Sequence, residues 1–93
     1  MNYHKLLSIA IERQNIDLEV NEIPFNVFLK NTGDVLTLCF LEYENNDCIV
    51  VVETNSIGAE ELRIIPKFNI EYISIFYDFE VIEKDSNLEK MFL

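Results

Sequence analysis

This sequence is short of histidine, cysteine, glycine, proline and positive charge, and each shortage narrows what the chain can do. His4 is the single histidine, so no second imidazole can join it in a zinc site. It stands near the start of a helical pattern and reads as an exposed surface residue. Cys39 and Cys48 are the two cysteines; they form no C-x-x-C motif and no further cysteine completes a metal set. They read as reduced thiols packed like small hydrophobes. The two glycines, Gly33 and Gly58, are isolated turn residues outside any phosphate-cradling loop. Ser8, Ser56, Ser74 and Ser86 have neither a base partner nor a nucleophile elbow. Glu42, Glu44 and Asp47 lack the spacing of a dedicated calcium loop. The expectation is a non-enzymatic protein with no cofactor and no metal.

Long apolar runs are missing too. An uncharged stretch such as Val35–Leu41 falls far short of the roughly 20 apolar residues that span a bilayer. Lys5 precedes an apolar patch that Glu12 and Arg13 interrupt, a poor signal peptide. A soluble, cytoplasmic protein with no membrane partner is expected. The two prolines, Pro24 and Pro66, and the two glycines leave no linker and no low-complexity segment. Positive charge is the most telling shortage: 7 Lys and Arg stand against 17 Asp and Glu, a net charge of −10. The basic residues Lys5, Arg13, Lys30, Arg63, Lys67, Lys84 and Lys90 are scattered, whereas a nucleic-acid binder gathers them into a patch or stripe. Such acidity keeps a surface solvated and attracts basic partners.

What is present is a single domain, residues 1–93. A chain of this length buries about 60–65% of its unfolded surface, enough for one modest core. Residues 2–14 carry a helical period in which Tyr3, Leu6, Leu7, Ala10 and Ile11 share a face, with Asn2 as cap and Asn15 at the end. The period then changes to two. Ile16, Leu18 and Val20 alternate with Asp17, Glu19 and Asn21 as a short strand or extended arm, which Pro24 breaks. Phe25–Lys30 reads as a strand turning at Asn31–Asp34. Val35–Tyr43 is apolar on both faces, with Leu36, Leu38 and Phe40 on one and Val35, Cys39, Leu41 and Tyr43 on the other. A turn at Asn45-Asn46-Asp47 leads to Cys48–Glu53, dense in β-branched residues. Thr54–Glu61 is a polar loop, Leu62–Ile65 a short strand stopped by Pro66, and Ile70–Tyr77 another strand that runs toward Ile82. Ser86 and Glu89 have capping-box spacing in an acidic tail, 83–93. One helix followed by closely spaced hairpins predicts a mainly β fold. The expected form is a small, strongly bent five-stranded antiparallel barrel over about 16–82, behind an N-terminal α-helix.

Two stretches carry a family resemblance. "VFLKNTGDVLTLCFLEYENNDCIVVVE" resembles the first motif, and "LRIIPKFNIEYISI" the second, of the Sm-like family of small barrels, which includes the Hfq-type RNA chaperones. The resemblance covers roughly residues 25–77 and shares its spacing with other SH3-like barrels. It implies RNA contacts at the two motif turns, at positions Glu44, Asp47, Cys48, Lys67 and Phe68. The residue types depart from that chemistry. Glu44 stands where the family has Asp, and Cys48 replaces a base-reading Asn, whose bidentate amide a thiol cannot imitate. Pro66 and Lys67 replace Arg-Gly; against the Hfq-type Tyr-Lys-His, the match is Pro66, Lys67 and Phe68, so Lys67 alone is retained. Counterion release needs several cations, and residues 40–53 supply none.

The resemblance also implies assembly through edge strands. Tyr72, Ile73, Ile75, Phe76 and Tyr77 form the candidate edge, since aromatic residues enrich interface cores and strand pairing removes an exposed edge. The expected function is a self-assembling Sm-like interaction module that binds a basic protein, with RNA binding reduced or lost. Two alternatives carry different partners: an RNA-binding Sm-like protein, and a small acidic inhibitor of phage or mobile-element type that imitates nucleic acid.

Overall fold

The computed structural model describes residues 1–75, in which one helix precedes five strands joined in a single antiparallel sheet. Helix α1 spans Tyr3–Arg13. Its start is set by Asn2, whose side chain accepts from the Lys5 N–H at 2.9 Å, satisfying one of the donors a helix leaves open. Its end is set by Asn15, in the left-handed region at φ 54°. There the Asn15 N–H donates to Glu12 O at 3.2 Å and the Ile16 N–H to Ile11 O at 3.0 Å. This pair of bonds satisfies late carbonyls and turns the chain so that Ile16 enters the core and Ile11 packs against it. Tyr3 and Leu7 are buried, but Leu6, expected on the same face, is exposed.

The alternating run Ile16–Val20 forms no strand, which corrects the reading of a sheet beginning at residue 16. Val20–Glu22 is instead a 3-10 turn, with Glu22 Oε1 accepting from the Glu19 N–H at 2.9 Å. Ile16 is buried and Leu18 and Val20 pack against the core, so the apolar alternation serves packing without strand pairing. The sheet begins after Pro24. Strands β1 (Phe25–Leu29), β2 (Val35–Glu44), β3 (Cys48–Thr54), β4 (Glu60–Pro66) and β5 (Ile70–Ile75) lie in the order β4-β3-β2-β1-β5. A second 3-10 turn, Lys67–Asn69, joins β4 to β5. The strands at the two edges do not pair with each other, so among the described residues the sheet is open rather than a closed barrel.

Strand β2 serves two partners in succession. Its first half pairs with β1 (Phe25↔Cys39, Val27↔Leu36, Phe28↔Val35). Its second half pairs with β3 (Phe40↔Val52, Leu41↔Val51, Tyr43↔Val50, Glu44↔Ile49). At the join Leu38 has φ 53°, a conformation that a side chain with Cβ adopts at a cost of about 1–2 kcal/mol. The Leu38 N–H donates to Asn26 Oδ1 at 3.0 Å across the irregularity. Register shifts there and between Leu41 and Tyr43 break the strict alternation expected of β2. As a result Cys39 and Leu41 are buried and Leu36 packs against the core, while Val35, Leu38 and Tyr43 are exposed.

Among the described residues the buried core is apolar. Leu7, Ile23, Phe25, Val27, Cys39, Ile49 and Val51 are completely buried, with Tyr3, Ile16, Leu41, Ile65 and Ile70 nearly so. Cys39 and Cys48 are both free; burial, first, and then the nearby Glu53 push the Cys39 thiol up to about 11, with Arg63 opposing. No helix among the described residues is long and apolar enough to cross a membrane. The expected run of β5 through Tyr77 toward Ile82, and the acidic tail with Ser86 and Glu89, lie outside the described residues.

Candidate functional site

The two motif turns meet. In the β2–β3 turn, Asn45 Oδ1 accepts from the Asp47 and Cys48 N–H groups, both at 2.8 Å, an Asx arrangement that closes the turn from its own side chain. The Lys67 N–H then donates to Asp47 O at 2.8 Å, tying the β4–β5 turn to it. Cys48 pairs with Pro66 across β3 and β4. Glu44, Asp47, Cys48 and Lys67, scattered over the sequence, therefore come together at one end of the sheet.

Their chemistry is not that of an open binding surface. Glu44 Oε2 lies 2.7 Å from Lys67 Nζ, and the two side chains are 10% and 15% exposed. The same carboxylate accepts from the backbone N–H groups of Tyr3, at 2.8 Å, and His4, at 2.7 Å. Glu44 thus supplies from β2 the anion that the first turn of α1 lacks, where negative charge is favoured. Lys67 Nζ also donates to Met1 O at 2.7 Å and sits 5.7 Å from the centre of the Tyr3 ring, within cation–π range. Burial would raise the Glu44 carboxyl; the Lys67 ammonium and the two backbone donors overcome it and hold the group below the usual carboxylate range. Burial raises the Tyr3 phenol, with Lys67 opposing.

Lys67 is therefore ion-paired, its ammonium held by a carboxylate, a carbonyl and an aromatic ring with little of the side chain left exposed. Phe68, beside it, is 75% exposed and is not a core residue. Asp47 is exposed and Cys48 half-buried. The sequence carries one signal for this pairing: the first turn of α1 has no acid of its own.

Of the candidate assembly residues, Tyr72, Ile73 and Ile75 lie on β5, an edge strand among the described residues, and in different roles. Tyr72 is exposed and stacks on Phe28 of β1, with ring centres 4.1 Å apart. Ile73 and Ile75 are half-buried against the core; Phe76 and Tyr77 lie outside the described residues. The opposite edge, β4, was not singled out by sequence and is the more exposed one. Leu62 is 67% and Ile64 73% exposed, cross-strand from Val52 and Val50. On its other side Arg63 bridges Glu53 at 3.0 Å and Glu61 at 3.4 Å. Among the described residues no three His, Cys, Asp or Glu side chains gather closely enough to hold a metal ion. No family model matches this chain, and neither a curated protein nor a solved structure matches it.

Proposed function

We propose that the chain is a non-enzymatic, Sm-like interaction module that self-assembles through its edge strands and binds a basic protein, with RNA binding reduced or lost. The observation that carries this reading is the fate of Lys67. The cation retained at the motif turns is neutralised by Glu44 and anchored to Met1 and Tyr3. A phosphate approaching those turns meets Asp47 and no free ammonium from Lys67. With a net charge of −10, long-range steering favours cationic surfaces and disfavours nucleic acid. Support for the Sm-like part comes from a bulged β2 shared between two half-sheets, the order β4-β3-β2-β1-β5 and the helix in front.

The partner is tested by affinity capture from a cell extract at low and at high salt. Recovery of a basic, nucleic-acid-handling protein that salt releases is the expected result. Recovery of RNA alone, or of nothing at any ionic strength, counts against the reading. Assembly is tested separately by size exclusion with light scattering. A mass above that of the 10.9 kDa chain is expected, and lysines at both Leu62 and Ile64 should return the monomer, because buried charge on an edge opposes strand pairing. A clean monomer of the unaltered protein at high concentration would remove self-assembly from the proposal.

A further inference from the structure

We infer that the basic partner is held at one place, a groove between α1, the 3-10 turn Val20–Glu22 and the far end of β2, and that the groove receives an arginine or lysine side chain. This inference rests on the proposal of a basic protein partner and assigns it a site. The groove measures about 930 Å³. Leu41 and Val20 give it an apolar lining, Glu19 and Glu42 give it charge, and Tyr43 gives it an aromatic face that is 56% exposed.

The backbone explains why Glu42 lines it. Leu41 pairs with Val51 and Tyr43 with Val50, which leaves Glu42 as the extra residue of a bulge, without a cross-strand partner. Bulges re-aim side chains in this way. Among the described residues Glu42 has no hydrogen-bond or ion-pair partner, and Glu19 has no basic one. Glu44 and Lys67 also border the groove but neutralise each other. Met1 also lines the groove, and its terminal ammonium offsets one of the two free carboxylates, so the groove keeps one net negative charge, an aromatic ring and an aliphatic lining.

That combination fits a long cationic side chain. Its methylenes lie along Leu41 and Val20, and its head meets two carboxylates and the face of Tyr43. A phosphate is repelled by the same carboxylates. A metal ion is a poor match, because no three carboxylate, thiol or imidazole groups converge among the described residues.

The test uses N-acetyl-arginine amide as probe, followed by amide chemical shifts in the full chain, with N-acetyl-glycine amide as the uncharged control. Arginine-specific shifts concentrated at Glu19–Glu22 and Leu41–Asn46 are expected. The double variant E19Q/E42Q should weaken them roughly fivefold at low salt, the effect of losing two exposed ion pairs. E12Q/E71Q, which removes two exposed acids elsewhere, should change them less than twofold. Shifts spread over the acidic surface, or equal losses in the two variants, overturn the groove while leaving a basic partner captured from extract intact. Shifts confined to the groove without any basic protein in the capture experiment uphold the cation site and sink the partner reading. No arginine-specific shift at all overturns the groove outright.

Discussion

Replacing Glu44 with alanine is expected to lower the stability of the fold by about 3 kcal/mol, the low end of what removing one partner of a buried ion pair costs. The low end applies because solvent still reaches 10–15% of the two side chains. Three groups lose their acceptor at once: the Lys67 ammonium keeps Met1 O and the Tyr3 ring, while the Tyr3 and His4 N–H groups at the start of α1 are left open. A domain of this size has about 5–14 kcal/mol in total, so the midpoint of thermal unfolding should fall by on the order of 15 °C. Urea and thermal unfolding followed by circular dichroism measure this. A loss below about 0.5 kcal/mol, typical of an ordinary surface pair, would show that the turns and the helix hold together without it.

The same carboxylate gives a pH dependence with a definite sign. Its pKa in the folded protein is depressed relative to the unfolded chain, where a glutamate titrates near about 4.3. The folded state therefore binds its proton less readily, and the contribution is fully present above the unfolded value. It is lost as pH falls through the folded pKa. Stability should drop across the acid range in the unaltered protein, and the E44A variant should show a shallower drop over that window.

The fold was largely legible because its signals are local. The helix is bounded by Asn2 and Asn15, whose capping roles depend on neighbours a few residues away. The turns at Asn31–Asp34 and Asn45–Asp47 are closed by their own side chains. Ile16–Val20 left a strand and an extended arm both open, because a period of two marks burial on one side and does not say that a partner strand exists. Here the helix and the sheet bury that side. The faces of β2 misled for a reason of their own. A bulge reverses parity, and no residue type announced one at Leu38, where an asparagine or glycine would have been the usual sign.

The candidate site was half legible. The resemblance pointed to two turns that lie side by side, where Glu44, Asp47, Cys48 and Lys67 meet. It could not say that Lys67 faces inward, because that depends on a contact between residues 23 positions apart and on a helix approaching from the other end of the chain. The groove beside these turns left no sequence signal for a similar reason. Glu19 and Glu42 come from a segment expected to be a short strand or extended arm and from a strand expected to be regular, and only the 3-10 turn and the bulge bring them to one cleft.

The two half-sheets share one core, and Phe25, on β1 beside the Leu38 join, is buried in it together with Ile49, Val51 and Ile65 of the other half. It is completely buried and belongs to both pairings of β1, opposite Cys39 on one side and Ile75 on the other. It is also the largest of the completely buried side chains. Phe25→Ala is expected to cost about 3–5 kcal/mol, from lost apolar burial and the cavity left behind. Phe25→Leu, which keeps most of the volume, should cost less than about 1.5 kcal/mol. Chemical unfolding of the two variants gives the comparison. Loosening the join should also free the far end of β2, and with it the Glu44 contact that holds α1 down. Amide exchange at Tyr3 and His4 is therefore expected to speed up in Phe25→Ala and to stay close to normal in Phe25→Leu. Equal, small losses in both variants would mean that β2 sets the join by its own backbone, through Leu38, and that the core merely fills the space beneath it.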